Sequence, residues 1–504
     1  MIFNDEPSYK DDLGYYTLVR RVGHRALKCK PPYVIGVCGS WGSGKTSFLR
    51  QLWAYLDGEF ENEGGDFKAL GYHERFKWFE ETKEDFDKLL GKRNVELVWF
   101  NPWQHQFESS PLVALLHEIR RQFSFRRKLF DKAGKLTDVA VHSTLNALAE
   151  MGKELKIPLP SAKNIMERGR EYEAESFSAM LSSQRFREFF EGAIEEITRE
   201  KKGQKKGLLV IFIDDLDRCE GEVAYRLLEA LKLYLNASNC VYVLGLDQQH
   251  LESSIAKALS GEKETWRYRP LARDYLSKMF QGLFLLPVPR SAGKYVKNVL
   301  SPEDGDFKQK LESLFDFKGE DNDWKELART LDENLPHNPR KIKSFIASWK
   351  LYLDLLPDQP AGEKLDWRLT LILHYLAQFE EPLFRKVEEA PAFYNDHIVR
   401  FCIGGQSNNW MFDGLERPYE MTGALAAAAP PPPLEPDTGG TGTTVVPSAP
   451  RIGDPAKKDD SRAASPHRVF WISRLIKQLA NEKGVALDPN VILRHLPCAG
   501  GEAE

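Results

Sequence analysis

The stretch Val34-Ile35-Gly36-Val37-Cys38-Gly39-Ser40-Trp41-Gly42-Ser43-Gly44-Lys45-Thr46-Ser47-Phe48-Leu49 decides the fold. An apolar run leads into G-S-W-G-S-G-K-T at 39–46, which fits the pattern G-x-x-x-x-G-K-[ST]. Glycines let the backbone wrap a phosphate with several N–H groups turned inward, and the helix N-terminus behind them adds partial positive charge. In this reading Gly39, Ser40, Trp41, Gly42, Ser43, Gly44, Lys45, Thr46 and Ser47 cradle a nucleotide. Lys45 reaches the β- and γ-phosphates, and the Thr46 hydroxyl ligates Mg2+. The flanks agree: Tyr33–Val37 reads as a buried strand, and F-L-R-Q-L-W-A-Y-L as the helix that follows the loop.

A phosphate loop is half of a site, because the cation and an attacking water also need placing. Leu208–Ile213 is a continuous apolar run, closed at once by Asp214-Asp215-Leu216-Asp217-Arg218. Such a run marks a strand buried on both faces of a parallel sheet, and ligands bind at the C-terminal edge of such sheets. Asp214 is therefore assigned to Mg2+, mostly through water, since Mg2+ gives up its hydration reluctantly. Asp215 is the candidate for orienting or deprotonating the attacking water, with Asp217 as the runner-up. The alternative for these aspartates is a capped acidic turn before a helix. Arg218 is either an ion-pair partner of this cluster or an arginine lent to a neighbouring subunit.

Another buried strand, Cys240–Leu246, ends at Asp247, which either senses the γ-phosphate or caps the next helix. In H-N-P-R-K-I-K at 337–343, Asn338-Pro339 is a natural helix start that places Arg340 in the first turn. A guanidinium there opposes the helix dipole, so Arg340 either reaches a γ-phosphate or is an ordinary surface arginine.

The chain around these pieces has 504 residues, enough for two or three domains. Its 70 basic and 74 acidic side chains give a net charge of −4, which argues neither for nor against nucleic acid. Six scattered cysteines without a C-x-x-C pair suit reduced thiols rather than zinc or disulfides. With no signal core at the N-terminus and no long apolar window, the expectation is a soluble, cytoplasmic protein without a membrane anchor. Residues 10–28 read as an amphipathic helix, 58–94 as a charged helical excursion, and Val95–Asn101 as a second strand. Beyond residue 270 the periodicity is helical almost throughout, to about residue 400. The basic cluster at Arg120, Arg121, Arg126, Arg127 and Lys128 reads better as a solvated helix face than as a nucleic-acid surface, and with the cluster at 201–206 it motivates a nucleic-acid-stimulated ATPase as a further function. The expected fold is an α/β P-loop NTPase parallel sheet flanked by helices, with a long helical insertion at about 104–205 and an all-α C-terminal region. The expected domains are a core over 1–270, a helical lid and C-terminal helical domain over 271–420, an Ala/Pro/Gly-rich linker over 421–466, and a terminal amphipathic helix and tail over 467–504.

Together these pieces resemble the KAP family of P-loop NTPases, which includes bacterial phage-exclusion proteins and animal membrane-associated scaffolds. The resemblance is carried by N-D-E-P at 4–7 with D-D-L-G at 11–14, G-S-W-G-S-G-K-T-S with Trp41 inside the loop, and F-N-P-W at 100–103. It continues in I-D-D-L-D-R at 213–218, G-L-D at 245–247, D-Y-L-S-K-M-F-Q-G-L-F-L-L-P at 274–287 and N-P-R-K-I-K at 338–343. It implies an additional-strand ATPase core in which Gly42, Gly44, Lys45 and Thr46 bind phosphate and Mg2+, and Asp214 and Asp215 form the Walker B pair. Many relatives carry transmembrane helices between the two Walker motifs, where this chain is charged. The resemblance implies ATP as substrate, a nucleotide-dependent switch in anti-phage defence, a nucleotide-dependent homo-oligomer, and a protein effector or phage-derived trigger. Two other functions are an ATP-binding scaffold with little turnover and, last in rank, a nucleic-acid-stimulated ATPase.

Overall fold

A computed structural model describes residues 7, 9, 11–57, 59–61, 67–69, 86, 88–89, 95–107, 111–130, 188, 190–195, 197–198, 207–233, 239–260, 265–289, 292–356, 363–404, 410–412, 415–416, 468–484 and 486–497. The expected linker 421–466, the basic stretch 201–206, residues 131–187 of the expected insertion and residues 4–6 of N-D-E-P lie outside them, as do the side chains of Arg126, Arg127 and Lys128. The chain forms two compact units, one of residues 4–292 with 338–340, the other of 293–337 with 341–504 and 1–3.

The first unit is built on a parallel sheet of β1 (Tyr33–Cys38), β2 (Val95–Phe100), β3 (Leu208–Ile213), β4 (Cys240–Leu246) and β5 (Gly282–Leu285), in the order β2-β3-β4-β1-β5. The loop strand β1 and the acidic strand β3 are not neighbours. β4 is inserted between them, the additional-strand arrangement that the resemblance implies. Continuous apolar runs in β3 and β4 follow from burial on both faces. Leu209, Ile211 and Ile213 pack on one side, and Leu208, Val210 and Phe212 on the other. Helices α1 (Tyr16–Lys28), α2 (Lys45–Asp57), α3 (Pro111–Phe130), α4 (Gly221–Leu233), α5 (Gln248–Ser260) and α6 (Thr265–Met279) accompany the sheet. α1 and α2 pack on the Val210 face, while α3, α4, α5 and α6 pack on the Ile211 face.

Two expectations change. The stretch 58–94, read as helical, contains an antiparallel pair of short strands, Glu59–Glu61 and Phe67–Ala69. The reading beyond residue 270, helical almost throughout, did not include β5. With four residues at the sheet edge and alternating burial, β5 lacks the long apolar run that marks a central strand.

The second unit is mainly helical, with α7 (Gly293–Leu300), α8 (Gly305–Leu314), α9 (Asp321–Asn334), α10 (Pro339–Asp354, whose first two residues belong to the first unit), α11 (Trp367–Phe379), α12 (Glu381–Glu389), α13 (Ser473–Lys483) and α14 (Pro489–Arg494), but the region expected to be all-α also holds a short parallel strand pair, Leu415–Glu416 with Arg468–Val469. Its core includes the fully buried Trp349 and Phe345, with the Phe307 ring edge-on to Trp349. The terminal amphipathic helix α13 buries Leu475, Ile476 and Leu479 in this unit. Among the described residues no helix is long and apolar enough to cross a membrane. The five described cysteines are buried, none in a disulfide.

Candidate functional site

The loop after β1 is shaped by its own backbone. Gly42 has φ +81°, a left-handed conformation that residues with a side chain rarely adopt. A β-carbon on Gly42 would also lie 2.6 Å from Asn338 Oδ1 and 2.7 Å from Arg340 Cβ. That corner is bonded to the loop: Asn338 Nδ2 donates to the Trp41 carbonyl at 2.9 Å, and the Arg340 N–H donates to the Gly42 carbonyl at 3.3 Å. The structure thus brings Arg340 against the phosphate loop from almost 300 residues away in sequence.

Lys45 opens α2 with its side chain buried. Its ammonium donates to the Gly39 carbonyl at 2.9 Å and the Ser40 carbonyl at 3.4 Å, and stands 3.8 Å from Asp217 Oδ2. Asp217 is buried beside it; burial raises its carboxyl pKa and the Lys45 charge opposes the rise. Asp217 thus stands as a counter-ion of the loop lysine, a placement that neither of its two expected readings, water-orienting residue or capped acidic turn, foresaw.

Asp214 ends β3 almost fully buried. Burial, with the neighbouring Asp215 charge, pushes its carboxyl up to about 6, against a hydrogen bond from the Thr46 side chain. Asp214 also lies against Gly245 of the inserted strand β4: a β-carbon there would be 2.9 Å from Asp214 Oδ1 and 2.7 Å from Leu49 Cδ1. Asp214 Oδ1 is buried without a hydrogen-bond partner. A buried anionic oxygen in that position, next to a hydroxyl, fits a divalent cation. Among the described residues no cluster of three or more His, Cys, Asp or Glu could hold a metal alone. Mg2+ is bound by one or two protein groups together with phosphates and water, as one carboxylate and one hydroxyl would provide.

Asp215 follows in a left-handed conformation, φ 59° and ψ 27°, sparsely populated for a residue with a β-carbon. Its two oxygens have separate partners. Arg218 Nε stands 2.7 Å from Oδ1, and Asn101 Nδ2 donates to Oδ2 at 3.0 Å. Arg218 thus pairs with Asp215 within its own chain. Asp247 has Oδ1 accepting the His250 N–H at 3.2 Å, which makes it the N-cap of α5.

Asn101 and Trp103 stand in F-N-P-W, and Gly245 in G-L-D, yet sequence reasoning gave none of them a role. A hydrogen-bonding residue ending β2, the strand paired with β3, was the available signal for Asn101.

The arrangement assembles a phosphate cradle, a buried carboxylate–hydroxyl pair for a cation, and a second carboxylate held ready at the sheet edge. A family model described as KAP family P-loop domain matches residues 24–354, more than half of the chain. No curated protein matches the chain.

Proposed function

This chain belongs to the KAP family of P-loop domains, and from that premise we propose that it binds ATP with Mg2+ and hydrolyses it slowly as a nucleotide-dependent switch. The observation that carries the reading is the placement of Asp214, a buried carboxylate at the end of β3, against Gly245 of the strand that pairs with the loop strand β1. Lys45 turns from the Gly39 carbonyl and Asp217 toward the β- and γ-phosphates. Thr46 and Asp214 hold the cation, whose chemistry is to neutralise charge on the phosphate oxygens. Asp215 orients the attacking water and accepts its proton, and Asn101 fixes the direction of its carboxylate. Arg340, bonded to the loop, supplies positive charge on the γ-phosphate side.

Phosphate release from ATP and Mg2+ by the purified chain tests this against Lys45→Ala. Release above that variant is expected; equal release would end the hydrolysis reading. A nucleotide-dependent homo-oligomer, a protein effector or phage-derived trigger, and a part in anti-phage defence belong to the same proposal and rest on the family resemblance alone. Light scattering with and without ATP tests the first of them, with an increase in mass expected.

A further inference from the structure

Trp41 stands inside the phosphate loop with 66% of its surface exposed, although so large a ring is usually well buried. Its neighbours give the exposure a purpose. The guanidinium carbon of Arg340 lies 5.4 Å from the ring centroid, and that of Arg218 lies 5.8 Å from it. Both are within the ~6 Å over which an indole face attracts a cation. Arg218 is also 5.8 Å from the Trp103 ring while it pairs with Asp215. The backbone beneath Trp41 is tied to the same corner, through Asn338 on the Trp41 carbonyl and the Arg340 N–H on the Gly42 carbonyl.

An aromatic ring holds a cation without neutralising it. A carboxylate in the same place would compete with phosphate oxygens for both guanidinia and would repel the phosphates themselves. A tryptophan adds direction to the two side chains without adding a further counter-charge to either.

We propose that Trp41 is a positioning residue, whose ring sets Arg218 and Arg340 to meet the terminal phosphate of a bound nucleoside triphosphate. This rests on the nucleotide-binding reading above and deepens it, because the terminal phosphate is the group that a diphosphate lacks. Trp41 thereby contributes to telling the two nucleotides apart.

The test compares affinities of the full chain for a non-hydrolysable ATP analogue and for ADP. Trp41→Leu is expected to weaken analogue binding about tenfold and ADP binding by less than about threefold. The exposed position makes this change tolerable to the fold. Trp41→Phe keeps a ring and is expected to recover most of the loss. In an Arg218→Ala/Arg340→Ala background, Trp41→Leu is expected to add nothing further. Equal losses for the two nucleotides, no recovery with Phe, or a full loss persisting without the arginines would each overturn the proposal. The readout needs no turnover. A wild-type chain that prefers the analogue in this ring-dependent way but releases no phosphate supports the role of Trp41 and removes the hydrolysis reading. A chain that hydrolyses ATP yet binds both nucleotides equally overturns the role of Trp41 alone.

Discussion

Asp214 and Gly245 are matched by the absence of a side chain: Asp214 Oδ1 lies 2.9 Å from the point where a β-carbon on Gly245 would sit. The inserted strand β4 separates the acidic strand from the loop strand, and the Asp214 carboxylate lies against its Gly245. Gly245→Ala puts a methyl group against both Asp214 and the buried Leu49. The expected result is at least about a tenfold fall in ATP turnover, with a loss of about 1–3 kcal/mol in stability from overpacking. Turnover and urea denaturation measured together check it; an unchanged turnover would show that the contact is not needed.

Gly245 also marks the limit of what the sequence discloses. The loop at 39–46 and the D-D pair are legible because each is contiguous and its chemistry is local. β3 and β4 are legible because burial on both faces leaves an unbroken apolar run. A glycine at the tip of β4 acquires meaning only from the strand order, and so does Asn101, whose partner lies 114 residues away. Asn338 and Arg340 could be suspected from a helix start, but their bonds to Trp41 and Gly42 depend on the chain returning to the loop. β5 escaped because it is short: the apolar run L-F-L-L at 283–286, close behind α6, cannot be told from a helix segment by periodicity.

Asn101 is the neutral donor on Asp215, opposite the Arg218 ion pair. Asn101→Ala removes it and leaves Asp215 oriented from one side. Turnover is expected to fall about tenfold with nucleotide affinity within about threefold of wild type. Asn101→Asp sets two carboxylates against each other and is expected to be worse. Steady-state kinetics beside equilibrium nucleotide titration separate the two effects. A loss lying wholly in affinity would contradict the assignment.

Lys45→Ala removes more than a phosphate ligand. It leaves the buried Asp217 without the cation 3.8 Å away. Stability is expected to drop by about 2 kcal/mol, and Asp217→Asn in the same chain is expected to restore most of it without restoring turnover. Thermal melts of the two variants check this. If the double variant were no more stable than Lys45→Ala, the pair would be incidental to folding.

Helix α13 belongs to the core of the second unit. Asn334 Oδ1 accepts the Leu475 N–H at 3.0 Å inside α13, and Leu475, Ile476 and Leu479 are buried. Each such side chain is worth about 1.5–3 kcal/mol when buried. Ending the chain at residue 466 is therefore expected to unfold or aggregate the second unit, and Asn334→Ala to cost about 1–2 kcal/mol. Circular dichroism and limited proteolysis of the shortened chain test this. A fully folded product would make α13 a detachable element.

His374 makes the second unit acid-sensitive. It is buried on α11 with Phe345 and Tyr352 against its ring, and it shares a 2.9 Å hydrogen bond with the Ser348 hydroxyl, which also bonds Gln378. Burial pushes its pKa down to about 4. The unfolded chain keeps a value near ~6.5, so between those values the unfolded state binds a proton that the folded state refuses. The stabilisation is complete above the unfolded value and is lost as pH falls through the window toward 4, by about 3 kcal/mol at most. His495 on the same unit shifts in the same direction, so it adds to the acid dependence. His374→Gln is expected to flatten, without abolishing, the fall in denaturation midpoint between pH 7 and about 4.5. An unchanged slope in that variant would mean that the buried imidazole is not the group being titrated.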